Sequence, residues 1–214
     1  MFTGLVQGIA RIESVQPLNA DGGVRIRVDA SAVTDFMAAV GDSIALNGAC
    51  LTATQVRGTR FEAEVSRETL NKTVGLDQAG PVNLELSLRL GDALGGHLVS
   101  GHVDGVGTVS ALHAVGESWE LVLTFAPELA RFVAVKGSIV VNGVSLTVNR
   151  VVDRAEAAGC EISINLIPHT CVVTTLGSLR VGDSVNLEID LIARYVERML
   201  TALPMSTLKT ESAS

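Results

Sequence analysis

Two short segments carry the residue types best suited to chemistry, and they share one pattern. Cys50-Leu51-Thr52 and Ser145-Leu146-Thr147 each set a thiol or hydroxyl two residues from a threonine. In a strand, residues two apart share a face, so each pair projects one way. Such a group can attack an electrophile once a base activates it, or simply hydrogen-bond a ligand. Each segment follows an Asn-Gly pair, Asn47-Gly48 and Asn142-Gly143, and both residue types tolerate positive φ, which predicts a tight hairpin. The hairpin role by itself accounts for those four residues. Cys50 taken alone also reads as a small buried hydrophobe. Its alignment with Ser145 favours a functional part for both.

A second segment is dense in glycine: Gly95-Gly-His-Leu-Val-Ser-Gly-His102-Val-Asp-Gly105. Glycines let backbone approach a ligand closely, and their amides can serve the edge of a planar heterocycle. No lysine follows and no helix pattern starts here, so this is not a phosphate loop. His102 can shuttle a proton near neutral pH or merely satisfy backbone groups. Asp190 ends an alternating run just before a helical pattern, as a helix cap or as a titratable site residue. Ser66-Arg-Glu-Thr69 and Ile167-Pro-His-Thr170 close two further strands, share a threonine, and read as loop residues able to contact a ligand.

These segments are parts of two copies of one module. Ser43-Ile-Ala-Leu-Asn-Gly-Ala-Cys-Leu-Thr52 returns as Ser138-Ile-Val-Val-Asn-Gly-Val-Ser-Leu-Thr147. Phe2-Thr-Gly-Leu-Val-Gln-Gly8 returns as Val99-Ser-Gly-His-Val-Asp-Gly105, and Val82-Asn-Leu-Glu85 as Val185-Asn-Leu-Glu188. The copies disagree at Cys50 against Ser145, Leu5 against His102, and Ser87 against Asp190. A duplicated pocket with divided chemistry suits a reaction that uses two similar molecules in different roles.

The elements that must position these residues are strands. Val24–Asp29, Arg60–Val65 and Val82–Leu86 alternate apolar and polar, and so do Glu120–Phe125, Glu161–Leu166 and Val185–Ile189. With 21 glycines between and around such runs, each module reads as about six short antiparallel strands curled into a barrel or sandwich. A short helix is predicted at Val33–Ala39, with a counterpart at Pro127–Val133. Extra residues near Asp153 to Gly159 predict a longer surface loop. Ile192, Tyr195, Val196, Met199, Leu200 and Leu203 recur at three- and four-residue spacing, an amphipathic helix stopped at Pro204. The predicted divisions are a barrel at 1–96, a barrel at 97–190, a helix at 191–204 and a disordered tail at 205–214.

Composition excludes several classes. The chain has 214 residues, a net charge of −7 and 47% hydrophobic residues. Its basic residues are scattered, so no positive stripe exists for a nucleic-acid backbone. No run approaches the ~20 apolar residues of a membrane span. The start shows no secretory signal, and Cys50, Cys160 and Cys171 are odd in number and widely spaced. That predicts free thiols in a reducing cytoplasm, with neither disulfides nor a metal site.

Together these residues resemble the riboflavin synthase family, along nearly the whole chain from Met1 to about Leu203. The resemblance rests on Met1-Phe-Thr-Gly, Asn47-Gly-Ala-Cys-Leu-Thr52, Gly95 through Gly105, Asn142-Gly-Val-Ser-Leu-Thr-Val148 and Leu166-Ile-Pro-His-Thr170. It implies an all-β chain of two tandem six-stranded Greek-key barrels plus a C-terminal α-helix that helps build a homotrimer. It implies dismutation of two 6,7-dimethyl-8-ribityllumazine molecules by four-carbon transfer, without metal or cofactor, and a possible association with lumazine synthase. Carried over by position, the first barrel would bind one lumazine through Gly4, Leu5 and Val6, Cys50, Leu51 and Thr52, and Glu64, Val65, Ser66, Arg67, Glu68 and Thr69. The second would use Gly101, His102 and Val103, Ser145, Leu146 and Thr147, and Leu166, Ile167, Pro168, His169, Thr170 and Cys171. Lys136 would reach the ligand of a neighbouring subunit. The residues expected to carry catalysis are Phe2, Ser43, Cys50, His102, Ser145 and Asp190, in a site between the first barrel of one subunit and the second barrel of the next. One departure stands out. The family's Gly-Asp pair before Val-Asn-Leu-Glu is kept as Gly182-Asp183 but replaced by Ala79-Gly80-Pro81 in the first copy. Lumazine-binding carrier proteins of this kind tend to carry a basic residue at the position of Thr3 and to lose second-barrel residues.

Overall fold

The computed structural model describes residues 1–19, 22–153 and 159–202. Among them the chain forms twelve strands. The first six are β1 (Gly8–Pro17), β2 (Val24–Asp29), β3 (Ser43–Leu46), β4 (Ala49–Arg57), β5 (Arg60–Val65) and β6 (Gly80–Leu86). The second six are β7 (Gly105–Val115), β8 (Ser118–Phe125), β9 (Ser138–Val141), β10 (Val144–Asp153), β11 (Cys160–Leu166) and β12 (Ser184–Ile189). Burial alternates along β2 and β5 and is continuous along much of β6, β11 and β12. Each set closes into an antiparallel barrel in the same Greek-key order, β1-β2-β5-β4-β3-β6 and β7-β8-β11-β10-β9-β12.

Strand β2 shows how period two builds the wall. Val24, Ile26 and Val28 point into the first barrel, while Arg25 and Arg27 point outward and pair with Glu64 and Glu62 directly opposite on β5. Inside, Ile12, Ile44, Leu46, Phe61 and Leu84 are fully or nearly fully buried, and Phe36 stacks on Phe61 at 5.7 Å. The second barrel is filled by Leu121, Leu123, Ile139, Ile162, Ile164 and Leu187. Matching bulges bend β1, β4, β7 and β10, which supplies the curvature that closure needs.

The barrels join through a symmetric seam. Asn47 and Gly48 turn β3 into β4 with φ of 46° and 84°, and Asn142 and Gly143 turn β9 into β10 with 46° and 83°. The two turns lie against each other so closely that a Cβ on Gly48 would sit 2.9 Å from Gly143 N. Asn83 Nδ2 donates to Asn142 O (2.8 Å), and Asn186 Nδ2 donates to Asn47 O (3.0 Å). Farther along, Phe2 and Val99 exchange backbone hydrogen bonds and bury each other with Ala45 and Val140.

Several expectations need correction. Val33–Ala39 forms turns with no helix: Asp35 takes φ of 55°, and the Asp42 carboxylate, not a helical carbonyl, accepts the Ala39 amide. Its counterpart, with a proline to start it, is a 3-10 helix at Pro127–Phe132. The two strand-ending segments read as loops instead open short helices, α1 (Arg67–Lys72) and α2 (Pro168–Val173). Ser66 caps α1 by accepting the Thr69 amide at 3.0 Å, and Pro168 begins α2. The substituted Pro81 does not break β6, because β3 pairs with that strand only at Leu84 to Leu86. The C-terminal helix is α3 (Leu191–Ala202), with Ile192, Tyr195, Val196, Met199 and Leu200 exposed. Most of the predicted loop near Asp153 to Gly159, and the tail at 205–214, fall outside the described residues. No helix among those described is long and apolar enough to cross a membrane.

Candidate functional site

The segment that leads into each barrel does not stay with it. Gly4 O accepts the Ser145 amide at 2.8 Å, so the N-terminal segment lies on the second barrel. Gly101 O accepts the Cys50 amide, also at 2.8 Å, so the segment entering the second barrel lies on the first. Side chains follow suit: Val6 packs against the second core and Val103 against the first. Both contacts demand glycine. Gly4 and Gly101 have φ of 75° and 80°, and a Cβ on them would come within 2.5 Å of Ser145 Cβ and 2.6 Å of Cys50 Cβ.

This crossing regroups the candidates. The resemblance sets Gly4, Leu5 and Val6 with Cys50, and Gly101, His102 and Val103 with Ser145. The structure exchanges the two groups. One half-site therefore gathers Cys50, Leu51 and Thr52 on β4 with Gly101 and the exposed His102. Ser43 begins β3 directly opposite Thr52, which adds a hydroxyl to the same corner. The other half-site gathers Ser145, Leu146 and Thr147 on β10 with Gly4 and the half-exposed Leu5.

Glu64, Val65, Ser66, Arg67, Glu68 and Thr69 run from the end of β5 into α1. Within that run Val65 is core, Glu64 pairs with Arg25, and Arg67 reaches Gly22 O at 2.6 Å. Leu166, Ile167, Pro168, His169, Thr170 and Cys171 make the matching corner, with Leu166 buried and Ile167, Pro168 and His169 exposed. Lys136 stands exposed with φ of 67° and reaches Asn149 Oδ1 at 3.5 Å. Phe2 touches no open surface at all. Its ring lies under Gly101, where an added Cβ would meet it at 2.9 Å, so Phe2 backs the Cys50 half-site.

One residue to which the sequence assigned no role becomes central. His97 Nδ1 lies 2.7 Å from Ser145 Oγ, and its own amide donates to Thr3 O at 3.1 Å. Its Nε2 is buried with no hydrogen-bond partner among the described residues. Burial pushes the ring's pKa down from its ordinary value, and the nearby Asp190 carboxylate partly opposes this. Asp190 itself caps α3, its Oδ1 accepting the Ile192 amide at 2.8 Å. It thus fills the cap role and also bears electrostatically on His97. The signal for His97 in sequence was its place in the glycine-dense segment Gly95–Gly105.

The remaining thiols are chemically quiet. Burial pushes Cys160 up to about 11, and burial also raises Cys171. A concavity of about 540 Å³ lies on the outer wall of the first barrel among ion-paired Arg27, Arg60, Glu13 and Glu62. A smaller one, about 280 Å³, opens beside the Asn47 and Asn142 seam. Neither is lined by Cys50 or Ser145. Cys50 and Ser145 are each partly exposed at the surface of the single chain.

Comparison with known proteins agrees with this architecture. A family model described as a lumazine binding domain matches residues 3–87 and again 100–190. Riboflavin synthase from Mycobacterium tuberculosis is 42% identical over 209 residues, covering 94% of this chain and 98% of that protein. Riboflavin synthase from Brucella abortus is 41% identical over 206 residues, covering 93% and 98%. Among solved structures, LumP complexed with riboflavin superposes with a TM-score of 0.77 at 26% identity, covering 88% of this chain and 99% of that one. LumP complexed with 6,7-dimethyl-8-(1'-D-ribityl) lumazine gives 0.74 at 25% identity. With both barrels matched and relatives this similar along almost its full length, the chain belongs to the riboflavin synthase family of lumazine-binding proteins.

Proposed function

We propose that this chain is a riboflavin synthase, a transferase that moves a four-carbon unit between two molecules of 6,7-dimethyl-8-ribityllumazine. The products are riboflavin and 5-amino-6-ribitylaminouracil. The carbons that one ring loses the other gains, so no outside oxidant or reductant is consumed. One observation carries the reading: the chain builds the same half-site twice and equips the copies differently. Cys50 with His102 stands at one, and Ser145 with His97 at the other.

The chemistry starts with loss of a weakly acidic methyl proton from one ring, and the resulting charge needs hydrogen-bond donors aimed at it. Ser145, held by His97 beside Asp190, is suited to that end of the reaction. Cys50, Ser43 and His102 act on the other ring, and Phe2 holds Gly101 and Cys50 in place. Stacking two planar rings supplies the proximity and orientation that a bimolecular condensation lacks. Half-sites whose Cys50 and Ser145 stay partly exposed in one chain suit a site closed by the next subunit, with Lys136 reaching across. The exposed apolar stripe of α3 supports a homotrimer, with residues 1–96 and 97–190 as its two binding units. Free thiols support a cytoplasmic setting, where docking on lumazine synthase would deliver substrate directly.

Incubation with dimethylribityllumazine tests the proposal. Riboflavin absorbance and green-yellow fluorescence are expected. Bound, unchanged blue emission would instead mean a carrier, the role to be weighed given the fold shared with LumP. Thr3, His102, Ser145 and Asp190 are all present, which favours the enzyme. His102→Ala and Asp190→Asn, the latter keeping a cap acceptor, should each lower kcat by about a hundredfold. Unchanged turnover in both would remove these residues from the mechanism.

A further inference from the structure

Two buried carboxylates lie outside the machinery described so far. Glu85 on β6 is 5% exposed and Glu188 on β12 is 2% exposed. Neither meets a cationic side chain among the described residues. Each is instead ringed by donors from one short segment. Glu85 Oε1 accepts the Thr3 amide (2.6 Å) and hydroxyl (2.7 Å), and Oε2 accepts the Gly4 amide (3.0 Å). Glu188 Oε1 accepts the Ser100 amide and hydroxyl (both 2.7 Å), and Oε2 accepts the Gly101 amide (3.0 Å). Three donors on a carboxylate are charge-assisted bonds, roughly twice as strong as neutral ones. The held segments are the ones that cross, since Gly4 O then receives Ser145 N and Gly101 O receives Cys50 N.

We infer that Glu85 and Glu188 are crossed positioning residues: Glu85, rooted in the first barrel, sets the Ser145 half-site of the second, and Glu188, rooted in the second, sets the Cys50 half-site of the first. As far as these corners bind substrate, the inference rests on the function proposed above. The carboxylate acts through the backbone. It fixes two successive amides, so the carbonyl after them has one direction left, onto the facing strand. A glutamine in its place presents an amide N–H₂ toward one backbone N–H, which repels it. The same arrangement in both copies links the barrels reciprocally, so each pocket's rim depends on a side chain of the other barrel.

Amide hydrogen exchange on the full-length chain tests this without any ligand. Glu85→Gln should speed exchange at the Ser145 amide by about tenfold or more and leave the Cys50 amide within about twofold, and Glu188→Gln should do the reverse. A merely structural role would loosen the variant's own barrel first. Should a glutamine variant fail to fold, Thr3→Val and Ser100→Ala each remove one donor to the carboxylate and should give the same crossed pattern, weaker. Acceleration in the variant's own barrel, equal acceleration in both, or none in any variant overturns the inference. Titration with dimethylribityllumazine supplies a second reading: two sites per chain in the unaltered protein, with the second-barrel site weakened at least about tenfold in Glu85→Gln and the first-barrel site unmoved. If the unaltered chain binds no lumazine, the functional proposal fails while the exchange result still decides the positioning one.

Discussion

At Ser145 one contact sets what the hydroxyl can do. A neutral His97 can accept its proton at Nδ1, whereas a protonated ring has only donors and forces the oxygen to accept. Burial lowers the His97 pKa, so the ring stays neutral through the physiological range. The folded state therefore resists a proton that the unfolded chain takes up near 6.5. Its stability contribution is present above that pH and is lost as pH falls toward the depressed value. His97→Asn, which keeps an amide atom near Nδ1, should flatten both the acid limb of kcat and this part of the melting-temperature profile. An unshifted acid limb in the variant would separate His97 from turnover. Glu85 and Glu188 act in the opposite sense. Burial raises both, so each contributes stability at low pH that is lost as pH rises from 4.5 through the raised value.

At the level of elements, the strand runs were legible because period two is a local signal: β2 and β5 match their predicted bounds residue for residue. Of the short helices, the one at Pro127 was anticipated, while α1 and α2 were not. Six-residue α1 and α2 have no room for a helical period to show, and they depend on a cap and a proline as much as on their own pattern. Val33–Ala39 failed in the other direction, its apolar spacing overruled by Asp35 and Asp42. Helix α3 was read correctly, and its exposed stripe is where assembly is tested. Val196→Asp together with Met199→Asp should convert the proposed trimer to monomer in light scattering. The same change should lower turnover by at least about tenfold if half-sites close between chains. A fully active monomer would place the whole site within one chain.

For the whole molecule, the seam between barrels is a mutual hydrogen-bond exchange. Asn83 Oδ1 also accepts the Thr175 amide at 2.7 Å, and Asn186 Oδ1 accepts the Val74 amide at 2.8 Å, so each side chain spans both barrels. Asn83→Ala leaves the Thr175 N–H and the Asn142 carbonyl without these partners. It should cost about 2–4 kcal/mol, read as a lower urea midpoint. Two separate transitions in that variant would show that the seam couples the barrels. An unchanged midpoint would show that the exchange contributes nothing net.

The sequence by itself determined the duplication, the strands, the two Asn-Gly turns and which side chains share a strand face. Each of these is decided within a few residues, by backbone preference and by the period of the pattern. Tertiary structure alone decided that Gly4 serves Ser145, that Gly101 serves Cys50, and that His97 pairs with a serine far along the chain. Those partners depend on where two closed barrels meet. A period of two names the face a residue takes but not the neighbour across from it.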